Sequence, residues 1–144
     1  MKVFWEREKG SSIFTGVPES RTGDEIIVYF RLKVINKFKL PEGGLILDVG
    51  CGFGGYLKSL SDNNFTIGLD IEYKYLVVGK SHMNAHAWIC AIAEKLPLRD
   101  NLFDLVLLIE VIEHVKNPDE VLKEIFRVLK PKGLLFITAP NRFY

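Results

Sequence analysis

Apolar and polar positions follow one another in blocks along the chain after residue 44, and five of the apolar blocks are short. Each block is apolar on both faces, a pattern typical of buried strands in a parallel sheet. Polar or helically periodic segments separate the blocks, so the pattern predicts a doubly wound α/β sheet of about five strands with right-handed crossovers. The predicted strands cover residues 45–49, 65–70, 87–92, 103–109 and 134–139.

Helical periodicity and capping residues predict the segments between the strands. Before the first strand, Thr22 and Glu25 have capping-box spacing, and apolar residues recur at helical intervals until the chain reaches Pro41. After the fourth strand, Asn117 is a potential cap, and an apolar stripe continues to a predicted turn at 130–133. Two further helices are predicted over about 56–60 and 72–80.

The first predicted strand ends at an acidic residue and a glycine-rich loop, Asp48-Val49-Gly50-Cys51-Gly52-Phe53-Gly54-Gly55. Glycine permits positive φ and, because it has no Cβ, lets a ligand approach the backbone closely. A parallel strand, a glycine turn and a helix form a nucleotide site at the carboxyl end of many sheets. The loop is therefore the first candidate for ligand binding.

The glycine spacing alone leaves two ligand classes open. Gly50, Gly52 and Gly55 satisfy the dinucleotide spacing G-x-G-x-x-G, whereas the same first two glycines with Gly54 satisfy G-x-G-x-G. Asp48 favours a cationic ligand, because a carboxylate before the loop would repel a pyrophosphate.

Asp70 ends the second predicted strand, twenty positions after Gly50. A carboxylate at the end of the strand next to the loop can accept hydrogen bonds from ribose hydroxyls. Alternatively, Asp70 caps the helix that begins at Glu72. The two roles are compatible.

Composition indicates one ordinary globular domain. The 144 residues are 48% hydrophobic and 26% charged, and a net charge of +1 gives no overall attraction to nucleic acids or membranes. Neither Cys51 nor Cys90 suits a disulfide framework, and no leader or membrane span is recognisable. We expect a single cytoplasmic domain over residues 1–144, with a strap or lid over 1–21 and a core over 22–144.

Three later segments match consecutive motifs of one enzyme class. They read A-E-K-L-P-L at 93–98, D-N-x-F-D-L-V at 100–106 and E-V-I-E-H-V at 110–115. Together with the glycine loop they resemble the class I methyltransferases that use S-adenosylmethionine (SAM), over roughly residues 45–140. SAM carries a sulfonium and an ammonium group and has no phosphate, which agrees with an acid before the loop.

The resemblance implies the strand order 3-2-1-4-5, helices on both faces of the sheet, and SAM bound above strands 1, 2 and 4. It assigns the methionine part of SAM to the glycine loop, the ribose to the acid after strand 2, and the adenine to the segments after strands 2 and 3. The end of strand 4 would run under the sulfonium. The implied cofactor-binding residues are Asp48, Gly50, Cys51, Gly52, Gly54, Asp70, Ile71, Ala93, Glu94, Ile109 and Glu110.

Two features depart from the class. Ile92 replaces an aspartate that often accepts a hydrogen bond from the adenine amino group, and the loss of that bond costs on the order of 1 kcal/mol. The class also has two further strands after the fifth, which this sequence lacks. The fifth strand would then be an exposed edge, and we expect a second subunit of a homodimer or residues 140–144 to cover it.

Glu113 and His114 follow the fourth strand and are the candidates for a general base, which is needed if the acceptor atom carries a proton. The structural alternatives place Glu113 at a helix start and His114 under strand 4. His82 and His86 have i, i+4 spacing, but no third ligand is near them, so no metal site is expected.

These patterns predict a SAM-dependent methyltransferase that acts on a small molecule. Strand 4 lacks the Asn-Pro-Pro-aromatic pattern associated with amine groups of nucleic acids and glutamine side chains, although other nucleic-acid and protein acceptors stay open. One alternative is a SAM-binding partner subunit without catalytic activity. The other is an NAD-dependent oxidoreductase, which Asp48 and the absence of a substrate domain disfavour.

Overall fold

The computed structural model describes residues 3–4, 31–37 and 43–140 of the chain. Residues 31–35 are helical, and six strands and three further helices lie within these ranges. The strands are β1 (Val3–Phe4), β2 (Leu45–Val49), β3 (Phe65–Asp70), β4 (Ala87–Cys90), β5 (Phe103–Ile109) and β6 (Leu129–Thr138). The helices are α1 (Gly55–Leu60), α2 (Tyr73–His82) and α3 (Pro118–Val128).

All neighbouring strands pair in parallel, in the order β1-β6-β5-β2-β3-β4. Without β1, this is the predicted order 3-2-1-4-5, so the predicted topology is confirmed. β2 lies between β3 and β5, and the carboxyl ends of the three strands meet at one edge of the sheet. The strand order reverses at β2, which is where open parallel sheets bind their ligands.

The sheet is covered on both faces because its central strands are apolar on both sides. One cluster joins α3 to the sheet through Val121, Ile125 and Val128. A second cluster, on other residues of the same strands, packs Ile35 of the helical segment 31–35 and Leu60 of α1 against β2 and β5. The predicted doubly wound arrangement is therefore confirmed.

The predicted turn at 130–133 lies inside β6 instead of before it. Phe103 pairs with Leu129 and Leu105 pairs with Leu134, so two steps along β5 correspond to five along β6. The extra residues bulge away from β5, and Lys132 adopts a left-handed φ of 69°. The strand resumes afterwards because residues from Leu134 onward return to the buried centre of the sheet.

Two local predictions are wrong. β4 ends at Cys90, two residues early, because the carbonyl of Ile92 already accepts a hydrogen bond within a turn. Asn117 occupies the N-cap position of α3, but its side chain makes no capping hydrogen bond. Its backbone carbonyl instead accepts bonds from the amides of Glu120 and Val121.

The fifth predicted strand, β6, is not the edge of the sheet. The two residues of β1 pair in parallel with Leu135 and Phe136 of β6, so the N-terminal strap supplies backbone partners there. Of the alternative cover predicted over 140–144, residues 141–144 lie outside the described residues, as do all but residues 3–4 of the strap or lid predicted over 1–21 and the capping box at Thr22. No helix in the described part of the chain is long and apolar enough to span a bilayer.

Arg127 of α3 fixes the loop that follows β4. Its guanidinium donates to the carbonyls of Leu96 and Leu98 at 3.0 and 2.7 Å and forms ion pairs with Asp100 and Glu124. Glu124 completes the arrangement by accepting from the Leu96 amide at 2.7 Å. The A-E-K-L-P-L segment is thereby tied to the helix below it.

We predict that Arg127→Ala lowers the free energy of unfolding by about 2 kcal/mol, because the partly buried loop carbonyls and Glu124 lose their donor. Urea unfolding followed by circular dichroism would measure the change. Lys123→Ala, an exposed substitution on the same helix, is the control and should have little effect. Equal stability of the two variants would contradict this role of Arg127.

Candidate functional site

The glycine loop turns sharply over the ends of β2 and β3. Gly50, Gly52 and Gly54 all adopt left-handed φ values, of 74°, 52° and 82°. The amides of Gly50 and Cys51 donate to the carbonyl of Leu69 at 2.7 and 3.0 Å, which holds the loop against the end of β3. Only glycine takes up this conformation without strain, so the backbone itself requires glycine at these three positions.

The same geometry separates the two glycine spacings that the sequence left open. Gly55 has no positive φ and opens α1 as an ordinary helical residue, so the structural requirement follows G-x-G-x-G. A Cβ at Gly50 would lie 2.3 Å from Val111, and one at Gly54 would lie 2.4 Å from Trp88, because both glycines pack against side chains. Gly52 and Gly55 have nothing within 4 Å of such a Cβ, and of these two Gly52 lies in the left-handed part of the loop, with an open side that can receive a ligand.

Asp48 lies near the end of β2, two residues before the first glycine of this loop. It is 2% exposed, and its Oδ2 atom is buried without a hydrogen-bond partner. Burial, together with the charge of Asp70, raises the pKa of Asp48 from 3.8 to about 7. A buried carboxylate with an unsatisfied oxygen is costly to a folded protein, so Asp48 is a candidate for a functional role or for binding an ion or ligand.

Asp70, at the end of β3, is 8% exposed and faces the same loop. Its Oδ2 accepts from the Gly52 amide and its Oδ1 from the Glu72 amide, both at 2.8 Å. The predicted helix cap is wrong, since α2 begins at Tyr73 with Glu72 as its N-cap. Each carboxylate oxygen can accept a second bond, so the carboxylate is oriented by backbone and still able to accept from two hydroxyls.

Cys51 lies in the loop, close enough to both acids to feel their charge, and is buried. Burial, followed by the charges of Asp48 and Asp70, raises the pKa of its thiol well above the ordinary range. The thiol therefore stays protonated and serves as packing instead of as a nucleophile.

A polar network at the ends of β5 and β6 was not predicted from the sequence. Glu110 has a left-handed φ of 54°, and its Oε1 accepts from Arg31 at 2.7 Å and from the Thr138 hydroxyl at 2.8 Å. Arg31, in the helical segment 31–35, also donates to the hydroxyl of Tyr56 on α1 at 3.1 Å. The network joins four elements around the end of β5.

The turn after β5 carries the two predicted base candidates. Both carboxylate oxygens of Glu113 are buried and have no hydrogen-bond partner, although its side chain is 17% exposed. His114 is 77% exposed and its Nε2 lies 3.8 Å from Glu113 Oε1, so the alternative that packs His114 under the strand is wrong. Val111 of the same turn contacts Gly50, which places the turn against the glycine loop.

The remaining predicted residues also lie at the carboxyl edge of the sheet. Ile71 is exposed directly after β3, and Ile92 is exposed after β4. Ala93 and Glu94 are half-buried in the turn that follows, and Ile109 is the last residue of β5. The structure therefore brings the predicted residues to the ends of β2, β3, β4 and β5.

The histidine pair lies apart from this edge. His82 is on the last turn of α2, whereas His86 precedes β4 and has its Nδ1 within 3.2 Å of the Thr66 amide. Within the described ranges, no group of three or more His, Cys, Asp or Glu residues could hold a metal ion.

Comparison with known proteins identifies the family. A family model described as a methyltransferase domain matches residues 47–137, more than half of the chain. This chain belongs to the methyltransferase domain family.

Two relatives of this methyltransferase domain show how much of a longer protein it covers. An uncharacterized protein of Methanocaldococcus jannaschii is 42% identical over 119 residues, which are 83% of this chain and 51% of the relative. A ubiquinone biosynthesis O-methyltransferase of Coxiella burnetii is 31% identical over 117 residues, which are 78% of this chain and 50% of the relative. The domain thus spans about half the length of these relatives.

Solved structures share the fold. The [4+2]-cyclase SpnF is 26% identical, with a TM-score of 0.74 over 86% of this chain and 49% of the cyclase. A SAM-dependent methyltransferase from Aquifex aeolicus is 25% identical, with a TM-score of 0.66 over 81% of this chain and 66% of that protein. The Rossmann-like methyltransferase architecture is therefore confirmed.

The described residues of the methyltransferase domain fit SAM, the methyl donor of this family. Gly52 leaves the loop open where a side chain would fill it, and Asp70 retains hydrogen-bonding capacity for a ribose. The unsatisfied oxygen of Asp48 adds a negative niche that suits a positively charged ligand. These residues thus complement an adenosyl ligand that carries a positively charged sulfonium and has no phosphate.

We predict that Asp48→Asn stabilises the unliganded domain at pH 8. The folded state binds the Asp48 proton more tightly than the unfolded chain does, so this group's contribution to stability falls as pH rises from about 4 to about 7. Asparagine removes that loss, which we expect to be on the order of 1–4 kcal/mol at pH 8 and to shrink toward pH 4. Chemical denaturation of the wild type and of Asp48→Asn at both pH values measures this difference in the free energy of unfolding. A stability difference that does not change with pH would contradict the raised pKa of Asp48.

Proposed function

We propose that this domain binds SAM and transfers its methyl group to a small-molecule acceptor. The observation that carries the proposal is the pair of acids at the ends of β2 and β3, Asp48 with a buried free oxygen and Asp70 oriented by two amides, beside a glycine loop that is open at Gly52. Family membership and the names of the relatives support a methyl-transfer reaction.

Each part of the donor has a proposed partner. Asp48 and the loop from Gly50 to Gly54 would hold the methionine part, and Asp70 would accept from the ribose hydroxyls. Ile71, with the turn at Ala93 and Glu94, would flank the adenine, while Ile109 and Glu110 would lie below the sulfonium. When bound, SAM supplies an activated methyl group, so the protein mainly has to align the acceptor and exclude water.

Glu113 and His114 are proposed for the acceptor side of the site. Glu113 has two buried oxygens without partners, which suits a hydroxyl or amine of the acceptor. His114 is exposed and 3.8 Å from Glu113, where it could pass a proton to water.

A second candidate function is a SAM-binding subunit that does not transfer a methyl group. Ile92 in place of the adenine-binding aspartate favours this alternative, as does the likeness to a protein named as a [4+2]-cyclase. An NAD-dependent function has less support, because the third glycine of a dinucleotide loop allows close packing of helix on strand, whereas a Cβ at Gly55 would have nothing within 4 Å.

We also propose a cytoplasmic homodimer. Among the described residues, only β1 pairs with the outer edge of β6, and it reaches just Leu135 and Phe136. A second copy would cover the remaining backbone groups of that edge. The two cysteines, Cys51 and Cys90, are both free, which suits a reducing compartment.

We predict that Asp70→Ala weakens SAM binding at least tenfold, because the ribose loses its acceptor and the loop loses its anchor at Gly52. Calorimetric titration of the purified domain with SAM, S-adenosylhomocysteine (SAH) and NAD measures this. Asp62→Ala, an exposed change in the turn after α1, is the control. Unchanged SAM affinity would remove Asp70 from the site, and tight NAD binding without SAM binding would overturn the proposed function.

We predict that the domain transfers labelled methyl from SAM to a small-molecule fraction of cell extract and that Glu113→Gln lowers this rate at least tenfold. Glutamine keeps the size of the side chain but cannot accept a proton. Glu120→Gln, at an exposed position of α3, is the matched control and should leave the rate of methyl transfer unchanged. Tight SAM binding without any transfer would favour the non-catalytic alternative.

A further inference from the structure

The connection between β4 and β5 crosses the sheet without a helix, unlike the connections that contain α1, α2 and α3. Such a loop lacks the repeated backbone bonds of a helix, so other groups have to fix its path. Backbone bonds hold its two ends. The Ala91 amide donates to the Asp70 carbonyl at 3.1 Å, and the amides of Asn101 and Leu102 donate to the carbonyls of the last two residues of α3 at 2.9 and 2.7 Å.

Arg127 and Glu124 of α3 hold the middle of this connection, and we call the two residues the Arg127–Glu124 clamp. The Leu96 amide donates to Glu124 Oε2 at 2.7 Å, and the Leu96 carbonyl accepts from Arg127 Nη2 at 3.0 Å. Arg127 donates further to the Leu98 carbonyl, and its Nε and Nη2 bind both oxygens of Glu124, all at 2.7 Å. A two-pronged pair of this kind has a fixed geometry, so the clamp fixes the backbone of Leu96 in direction as well as in position.

The clamp acts on the residue that follows a tight turn at the carboxyl edge of the sheet. The Lys95 amide donates to the Ile92 carbonyl at 3.3 Å and closes the turn over residues 92–95. The bond from Ala91 to the end of β3 lies directly before the turn, and the clamped Leu96 lies directly after it. The backbone of the turn is therefore anchored on both sides.

This turn offers backbone donors to a ligand. Within the described ranges, the amides of Ala93 and Glu94 have no hydrogen-bond acceptor, and Ile92 has no polar side-chain atom with which to bind a base. Base recognition at the turn therefore depends on its backbone. A backbone amide cannot rotate to improve a bond as a side chain can, so its direction is set by the groups that anchor the chain.

We propose that the Arg127–Glu124 clamp positions this turn for recognition of the adenine base of the cofactor. The inference rests on the proposed function, which places adenine beside Ala93 and Glu94. A backbone N–H pairs with an acceptor such as adenine N1, whereas hypoxanthine carries a hydrogen on N1 and leaves the amide unpaired. Arg127 and Glu124 are thus positioning residues that set the preference for adenine without contact with the base.

Binding of SAH and of S-inosylhomocysteine, which has hypoxanthine in place of adenine, tests the proposal. The wild-type domain should bind SAH about tenfold more tightly, because one unpaired amide is the difference between the two ligands. Arg127→Ala should reduce this preference to about twofold, mainly through weaker SAH binding, because the turn loses one anchor. Calorimetric titration measures both constants. A loss of stability alone would weaken both ligands by the same factor and leave the preference unchanged.

Hydrogen exchange followed by mass spectrometry checks the physical step. Arg127→Ala should raise the exchange rate of the amides in residues 93–98 about tenfold, while α1 keeps its wild-type rate. Lys123→Ala, an exposed change on the same helix, is the control and should alter neither the exchange nor the base preference.

Arg127→Lys provides a second variant if Arg127→Ala does not fold. Lysine keeps the charge but lacks the planar fork that reaches Glu124 and the loop carbonyls together, so the base preference should fall about threefold. Equal binding of the two ligands by the wild type, or unchanged preference or exchange in the folded variant, would overturn the inference and leave the proposed function intact. Failure of the wild type to bind SAM and SAH would overturn both.

Discussion

The burial of one carboxylate at the end of the central strand is the constraint on which this site depends. Asp48 lies between β3 and β5, where neighbouring strands exclude water from both sides. Removing a charge from water costs several kcal/mol unless a partner compensates. We propose that an occupant with a positive charge compensates Asp48, whose Oδ2 has no partner in the described part of the chain.

The glycine loop determines the path of the chain beside Asp48. Its three left-handed glycines turn the chain, Gly50 and Gly54 pack against Val111 and Trp88, and Gly52 stays open. Asp70 anchors the loop through the Gly52 amide, and we propose that its remaining lone pairs accept from the ribose. Binding capacity and loop conformation are therefore coupled through a single side chain.

Local sequence patterns were sufficient to predict most of this architecture. The bounds of β2, β3 and β5 agree with the apolar runs, because each strand lies within one block that is buried on both faces. The acids at strand ends were predictable for the same reason, since parallel strands place their carboxyl ends together. The glycine spacing was ambiguous in the sequence, and only the backbone conformation distinguishes Gly54 from Gly55.

Contacts between distant parts of the chain were not predictable. Arg31 and Glu110 are far apart in sequence, and no local pattern joins them or explains the left-handed conformation of Glu110. The pairing of β1 with β6 is also non-local, and a two-residue strand has no periodicity to detect. The bulge at 130–133 looked like a simple turn, because a turn and a bulge use the same residues.

A crystal structure of the domain grown with SAH tests the central claim most directly. The account predicts the ribose hydroxyls within hydrogen-bond distance of Asp70 and the amino-acid part over the open side of Gly52, near Asp48. A ligand bound elsewhere, with the space between these two acids filled by backbone or side chains, would contradict it.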